Sequence, residues 1–496
     1  MNDIELYKKY KEELNNIDYA LFVLSFDSST VCPKDDKERS YEVQNYFYKK
    51  ELDIITSNEY VDLLNRLKDN KELSDVDRTA IKFELKELKK EENVPNSVKE
   101  EWMNLCDKAL LDWEKARDTL DFKEFIKDFK NNNECIKETL AYRKTNKLAG
   151  YDILLDDSES NFTEETYDEF FNLFKKEILP LIKDILKLPK KYNEKIKDIK
   201  FDIDKQHHIT NEIARIMGYD NKKGYIGETI HPFTNAINNN DARVTTEYQE
   251  ELLFSNIYSV MHEIGHALYE LGIDEKYNNT VLRRGTSCAI HESQSRFFEN
   301  YIGRSREFVE YFYPILVKEF PNELKEFTVD DIYYYVNDVS NQLTRTEADE
   351  LTYSVHILIR YEIEKGLMNG TIESENVEKE FNERFYNYLG NTPKNMKEGC
   401  FQDIHWCSGY GYFPTYALGN AFGAQFLNQM KKEFDVFGDV KKGDLSNIKN
   451  WLKKNVWQFG ASKENLDIIK DATKEEFNPK YYIDYLKNKF KLIYNL

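Results

Sequence analysis

Apolar positions fall at helical spacing over most of this chain. Segments Glu5–Leu21, Arg39–Thr56, Asp75–Glu92, Ser97–Arg117, Glu164–Leu188 and Asp330–Leu343 combine that spacing with helix-forming composition and predict a mainly α-helical protein. One stripe stands out, from Leu253 through Ile257, Val260, Met261, Ile264, Leu268 and Leu271. Thr246 and Gln249 predict a capping box at the start of that helix. Strand patterns are rare. Ile226, Thr229 and Ile230 within 224–234, the Asn238-Asn239-Asn240 turn and the run 244–246 predict a short hairpin bordering a cleft.

The face of the Leu253–Leu271 helix turned away from the apolar stripe carries Ser255, Ser259, His262, His266 and Tyr269. Residues four apart share a helix face, so His262 and His266 can direct ring nitrogens at one metal ion. Zinc accepts imidazole nitrogen readily, and a catalytic site adds a third protein ligand while keeping one position for water. Glu263 falls beside that water, where a carboxylate takes a proton and passes it to the leaving amine. With 8 His in 496 residues, a pair at this spacing arises by chance only about 0.1 times.

A third ligand has to come from elsewhere, and Glu292 in His291-Glu292-Ser293-Gln294-Ser295-Arg296 is the best candidate. It follows a loop holding Asn278, Asn279 and Gly285, and its helix is expected to run on through Phe297, Phe298 and Ile302. His291, Ser293 and Arg296 are the kinds of group that orient a ligating carboxylate.

These residues carry a family resemblance. His231-Pro232-Phe233, Asp241-Ala242-Arg243-Val244-Thr245, the 262–266 motif, 291–296, Arg345-Thr346-Glu347-Ala348-Asp349 and Gly399-Cys400-Phe401-Gln402-Asp403-Ile404-His405-Trp406 stand in the order seen in the carboxypeptidase Taq family of metallocarboxypeptidases, of the zincin group. Leu24-Ser25-Phe26-Asp27 and Gly411-Tyr412-Phe413-Pro414-Thr415-Tyr416 resemble it too, so nearly the whole chain is covered. Thr344, Phe26 and Ser28 depart from the usual residues, away from the metal. The resemblance implies a large helical peptidase with a deep groove, His262, His266 and Glu292 on the metal, Glu263 as acid/base, and a two-fold homodimer.

An enzyme that cuts only at a C-terminus must recognise a free carboxylate, and the planar fork of a buried arginine suits that task. Arg345 is the first candidate, with Arg243 closing the end of the groove; Asp349 and Asp241 offer each an ordinary salt bridge instead. The charge that develops on the scissile carbonyl oxygen needs a donor. His405, Tyr410, Tyr412 and Tyr416 are available, His405 and Tyr416 foremost, with Asp403 expected to fix the His405 tautomer or hold it protonated. His231 is expected to line the pocket of the departing residue.

At 496 residues the chain reads as one peptidase unit, in which 1–195 form a helical lobe walling the groove and 196–496 bear the metal. A net charge of −20 disfavours nucleic acid and anionic membrane as partners. No basic-then-apolar leader opens the chain, and six cysteines are too few for a disulfide framework, so a cytoplasmic location is expected, with Cys288, Cys400 and Cys407 as buried thiols. Peptides with a free C-terminus are the expected partners, and cobalt could replace zinc at an imidazole and carboxylate set. A helical zinc endopeptidase or dipeptidase would share every ligand. A silent scaffold would have no use for Glu263.

Overall fold

In the computed structural model, which describes residues 1–496, the chain opens on a 28-residue helix, α1 (Asp3–Thr30), started by a capping box between Asn2 and Glu5. It is followed by α2 (Lys37–Ile55), α3 (Asn58–Leu67) and α4 (Asp75–Lys90). Tyr7, Tyr60, Leu63, Leu64, Leu67, Leu73 and Ile81 close a small core of their own here. Beyond it lie α5 (Asn96–Thr119), α6 (Lys123–Arg143) and α7 (Tyr151–Ser158), whose apolar faces join the main core. Phe125 and Phe129 of α6, for instance, meet Phe401 and Trp406.

The helix expected over 164–188 is two, α8 (Glu164–Glu177) and α9 (Leu179–Ile185). Pro180, with no N–H to donate, sits in the first turn of the second, where none is required. Then come α10 (Ile203–Met217) and a three-stranded sheet of β1 (Ile226–Glu228), β2 (Thr234–Asn238) and β3 (Asp241–Thr246), in the order β1-β3-β2. β2 and β3 form the antiparallel hairpin, Thr234 opposite Val244, while β1 runs parallel to β3. The single strand expected over 224–234 is thus divided, with His231, Pro232 and Phe233 between its halves. At the hairpin tip the Asn239 amide donates to the carbonyls of Leu271 and Ile273, tying the sheet to the end of the next helix.

That helix, α11 (Leu253–Gly272), begins later than the capping box predicted, and no side chain caps it. Thr246 is the last residue of β3; its hydroxyl accepts from Asn256 Nδ2 at 2.8 Å, and the same amide donates to Glu247 O, so the link from strand to helix comes from inside the helix. α12 (Cys288–Arg296) continues into a π-helical turn over Phe297–Gly303, and α13 (Arg306–Glu319) follows. The helix expected over 330–343 is shorter, α14 (Val329–Val336). Asn337 stops it, donating its amide to Tyr333 O and Arg304 O. The chain then builds α15 (Tyr353–Met368), α16 (Val377–Leu389), α17 (Pro414–Glu433), α18 (Val436–Val440), α19 (Ser446–Asn455), α20 (Asn465–Thr473) and α21 (Lys480–Tyr494). No helix is long and apolar enough to cross a membrane.

The site depends on how tightly α12 lies between α11 and α17. A Cβ on Gly265 of α11 would stand 2.8 Å from Gln294 O and Ser295 Cα, and one on Gly419 of α17 would stand 2.8 Å from Glu292 Cβ. Two glycines therefore let three helices approach more closely than any side chain would allow.

Candidate metal centre and cleft

The solvent-facing edge of α11 is narrow. Ser255, Ser259, His262 and His266 are part-exposed along one line from its first to its fourth turn, while the apolar stripe is covered except at Leu271 near its end. This line floors a cleft of about 1370 Å³. Glu292 reaches the same floor from α12. His262 Nε2 and His266 Nε2 lie 3.7 and 3.5 Å from Glu292 Oε2, and the three ligand atoms sit within 4.8 Å of one another. Tetrahedral ligands at zinc's usual bond lengths stand about 3.3 Å apart. The donor set and its spacing fit a divalent ion.

Each candidate ligand is held from behind. His262 Nδ1 meets Glu299 Oε2 at 2.9 Å, His266 Nδ1 meets His291 Nδ1 at 2.5 Å, and His291 Nε2 meets Glu270 Oε1 at 2.9 Å. Arg296 Nε donates to Glu292 Oε1 at 2.7 Å, leaving Oε2 to face the imidazoles. Arg296 also bonds Glu299 and stacks on Tyr353. Burial alone would raise the Glu292 pKa, yet Arg296 and the imidazoles hold the carboxyl well below the usual range. Glu299 is likewise held down to about 2 against its burial, chiefly by Arg296 and His262. Burial and the neighbouring His291 lower His266 to about 3, which keeps it neutral, the form that metal ligation would require.

Ser293, expected to help orient Glu292, instead turns its hydroxyl to Ile290 O; Ser295 is the serine that reaches Glu292 Oε2, at 3.2 Å. Sequence reasoning missed Glu299, Glu270 and Thr234. Glu299 stands seven residues, or two turns, after Glu292, a spacing that hinted at it, but the wider π turn beneath it had no sequence signal. Thr234 on β2 donates its hydroxyl to Glu263 Oε2 at 2.6 Å. Glu263 is nearly buried, and burial raises its pKa while His262 and Thr234 pull the other way.

The remaining candidates divide. Arg345 and Tyr416 line the cleft, and so does His231, exposed at its rim. Arg345 Nε and Nη2 are both taken by Asp403, at 3.0 and 2.8 Å, so that edge of its fork is filled and Nη1 is left to Tyr353 Oη, at 3.4 Å. Asp403 serves that arginine and not His405, whose Nδ1 is 3.9 Å away and has no partner. Burial, with Arg345 and Arg360 nearby, lowers His405 to about 4, so it is neutral and not protonated. It stacks on Tyr412 and meets the Phe413 ring edge-on, behind the cleft wall. Tyr410 bonds Asn133, away from the metal. Arg243 is not brought to the cleft: it makes two bonds to Asp241, at 2.9 and 2.7 Å, and lies over Phe22 and Phe26. Cys400 and Cys407 are buried, but Cys288 is part-exposed in the cleft.

A helical body that floors its cleft with His-Glu-x-x-His and brings a glutamate from the following helix defines a metallopeptidase. The chain belongs to the carboxypeptidase Taq (M32) metallopeptidases, matching the family over residues 6–490. It is 36% identical over 488 residues to carboxypeptidase 1 of Bacillus subtilis, covering 98% of this chain and 97% of that protein. Thermostable carboxypeptidase 1 of Pyrococcus furiosus is 30% identical over 480 residues, covering 96% and 95%. The fold superposes on the M32 carboxypeptidase of Deinococcus radiodurans with a TM-score of 0.94 at 26% identity, across 100% of both chains. This chain is accordingly a metallocarboxypeptidase.

Proposed function

We propose that the chain removes single amino acids from the free C-terminus of peptides, with one Zn2+ per subunit held by His262, His266 and Glu292 and with Co2+ as a competent substitute. The observation that carries this reading is the convergence of two imidazoles and Glu292 Oε2 at 3.5–3.7 Å on the floor of an open cleft, next to a nearly buried Glu263. When bound, such an ion supplies Lewis acidity to the scissile carbonyl and the attacking water. Glu263, its pKa raised by burial, takes a proton from that water and delivers it to the departing amine. Thr234 keeps the carboxylate aimed as it does so.

The substrate carboxylate meets Arg345 Nη1 and the Tyr353 hydroxyl, the two donors left after Asp403 has filled the rest of the guanidinium. Tyr416 stands over the same arginine and supplies a hydroxyl to the carbonyl oxygen as it gains charge. His405, neutral and packed on Tyr412, supports that wall, and His231 borders the departing residue. Arg243 steadies α1 against the sheet instead of ending the groove. The chain acts as one unit: Phe83, Lys86, Asp157 and Tyr192, all within 1–195, wall the cleft floored by α11. A cytoplasmic homodimer is the working form, in keeping with six unpaired cysteines and with the family.

Mass spectrometry of one peptide digested by metal-loaded and by chelator-treated protein tests the reading. A ladder losing one residue at a time from the tail, absent with chelator, is expected. Internal cuts, or cleavage indifferent to chelator, overturn it.

A further inference from the structure

α7 is fastened at both ends to segments that build the site. At its start Tyr151, wholly buried, donates to Glu364 Oε2 at 2.8 Å, and the same oxygen accepts from the backbone N of Gly411 at 3.0 Å, in the loop leading to Tyr412 and Tyr416. Directly after its end Glu159, 0% exposed, takes three hydrogen bonds. Its Oε1 accepts from Ser287 Oγ at 2.7 Å and from Asn465 Nδ2 at 2.6 Å, and its Oε2 accepts from the backbone N of Ala289 at 2.8 Å. Ser287 is the N-cap of α12, its own hydroxyl accepting from Ile290 N at 3.3 Å. Glu159 therefore faces the unpaired N–H groups and positive end of the helix that presents Glu292 one turn later. Burial pushes its carboxyl up to about 7 against these donors.

Gly265 and Gly419 fix α12 sideways, but close backbone contact alone leaves a helix free to shift along its own axis. On the ligand set proposed above, we infer that Glu159 is the positioning residue that sets α12 lengthwise, and thereby sets the affinity of the His262, His266 and Glu292 cage for a divalent cation. Ser158 and Ser160 on either side of it line the cleft, so the substrate wall and the ligand helix share one anchor.

Calorimetric titration of Zn2+ into chelator-stripped, full-length protein tests this with wild type, E159Q and Y151F. Glutamine fills the same space but turns an amide N–H₂ toward donors. E159Q is expected to keep its circular dichroism, bind Zn2+ about tenfold or more weakly, and recover kcat when Zn2+ is saturating. Y151F loses a buried hydrogen bond at the far end of α7 and is expected to bind Zn2+ as wild type does. Folded E159Q with wild-type affinity overturns the assignment, and so does an equal loss in Y151F, which would mark general loosening. If E159Q fails to fold, S287A removes one of the three contacts to Glu159 together with the α12 cap, and unchanged affinity there likewise overturns the assignment. A wild-type chain that binds no Zn2+ would instead remove the proposed ligand set, and the clamp with it.

Discussion

His266 and His291 face each other Nδ1 to Nδ1 at 2.5 Å, and only one of those nitrogens can carry the proton between them. Because His291 gives its Nε2 hydrogen to Glu270, its Nδ1 is the acceptor, His266 Nδ1 is the donor, and His266 Nε2 keeps a free lone pair for a metal. Replacing His291 by Phe removes the acceptor. Divalent-metal affinity, measured by chelator competition, is expected to fall by about 10- to 100-fold. An unchanged value would show that His266 holds its tautomer without help.

Glu263→Gln should leave metal content as in wild type and lower kcat by about 100-fold or more, the range for loss of a general base. Metal analysis alongside peptide turnover separates this from loss of the ion. Thr234→Val is the finer test. The Thr234 hydroxyl stabilises the ionised Glu263, so its removal should move the acidic limb of the kcat/KM profile to higher pH. A limb that stays in place would assign that limb to another group.

For Arg345→Ala, kcat/KM on peptides with a free C-terminus should fall by about 10- to 100-fold, the worth of one charge-assisted contact, mostly through KM. C-terminally amidated peptides, poor substrates for the parent, should be affected little. Equal losses on both substrates would mean that the arginine supports the loop around Asp403 and does not touch the peptide.

The small N-terminal core has its own pH response. Glu84, bonded by the Tyr60 hydroxyl, has its pKa raised by burial from 4.5 to about 7. Its folded pKa lies above the unfolded one, so the native state prefers the protonated form. That contribution is complete below pH 4.5 and is lost as pH rises through 7. Hydrogen exchange in α3 and α4 should quicken between pH 5 and about 8 beyond the intrinsic rate change, and Glu84→Gln should flatten the rise. A wild-type protein with no such extra acceleration would place Glu84 in a more solvated setting.

Gly419→Ala puts a methyl 2.8 Å from the Glu292 side chain. Helix propensity alone favours alanine there by about 1 kcal/mol. The clash should outweigh that gain: metal affinity and melting temperature are both expected to drop. A stabilised variant with full affinity would show that α12 and α17 can part without disturbing the ligand.

The parts legible in the sequence were those set by local spacing. A His pair one turn apart on a helix with a clean apolar stripe reads directly as α11, and the motif order reads as the family. What stayed hidden depended on neighbours distant in sequence. Nothing near Thr234 says that β2 will lie against Glu263, and nothing near Asp403 says whether Arg345 or His405 will claim it. Tyr410 and Tyr412 differ by two residues in a loop, yet one bonds Asn133 in the interior and the other lines the cleft. Arg243 shows the same limit: its Asp241 neighbour was visible, while its seat over Phe22 and Phe26 required α1 to cross the sheet.

The close seating of α12 between Gly265 and Gly419 has a kinetic corollary. A cage whose walls are already in place needs no closing motion when its ion arrives, so the entry rate should follow how quickly each cation sheds its hydration water. Stopped-flow loading should then rank different divalent cations by their water-exchange rates, and solvent viscosity should matter little.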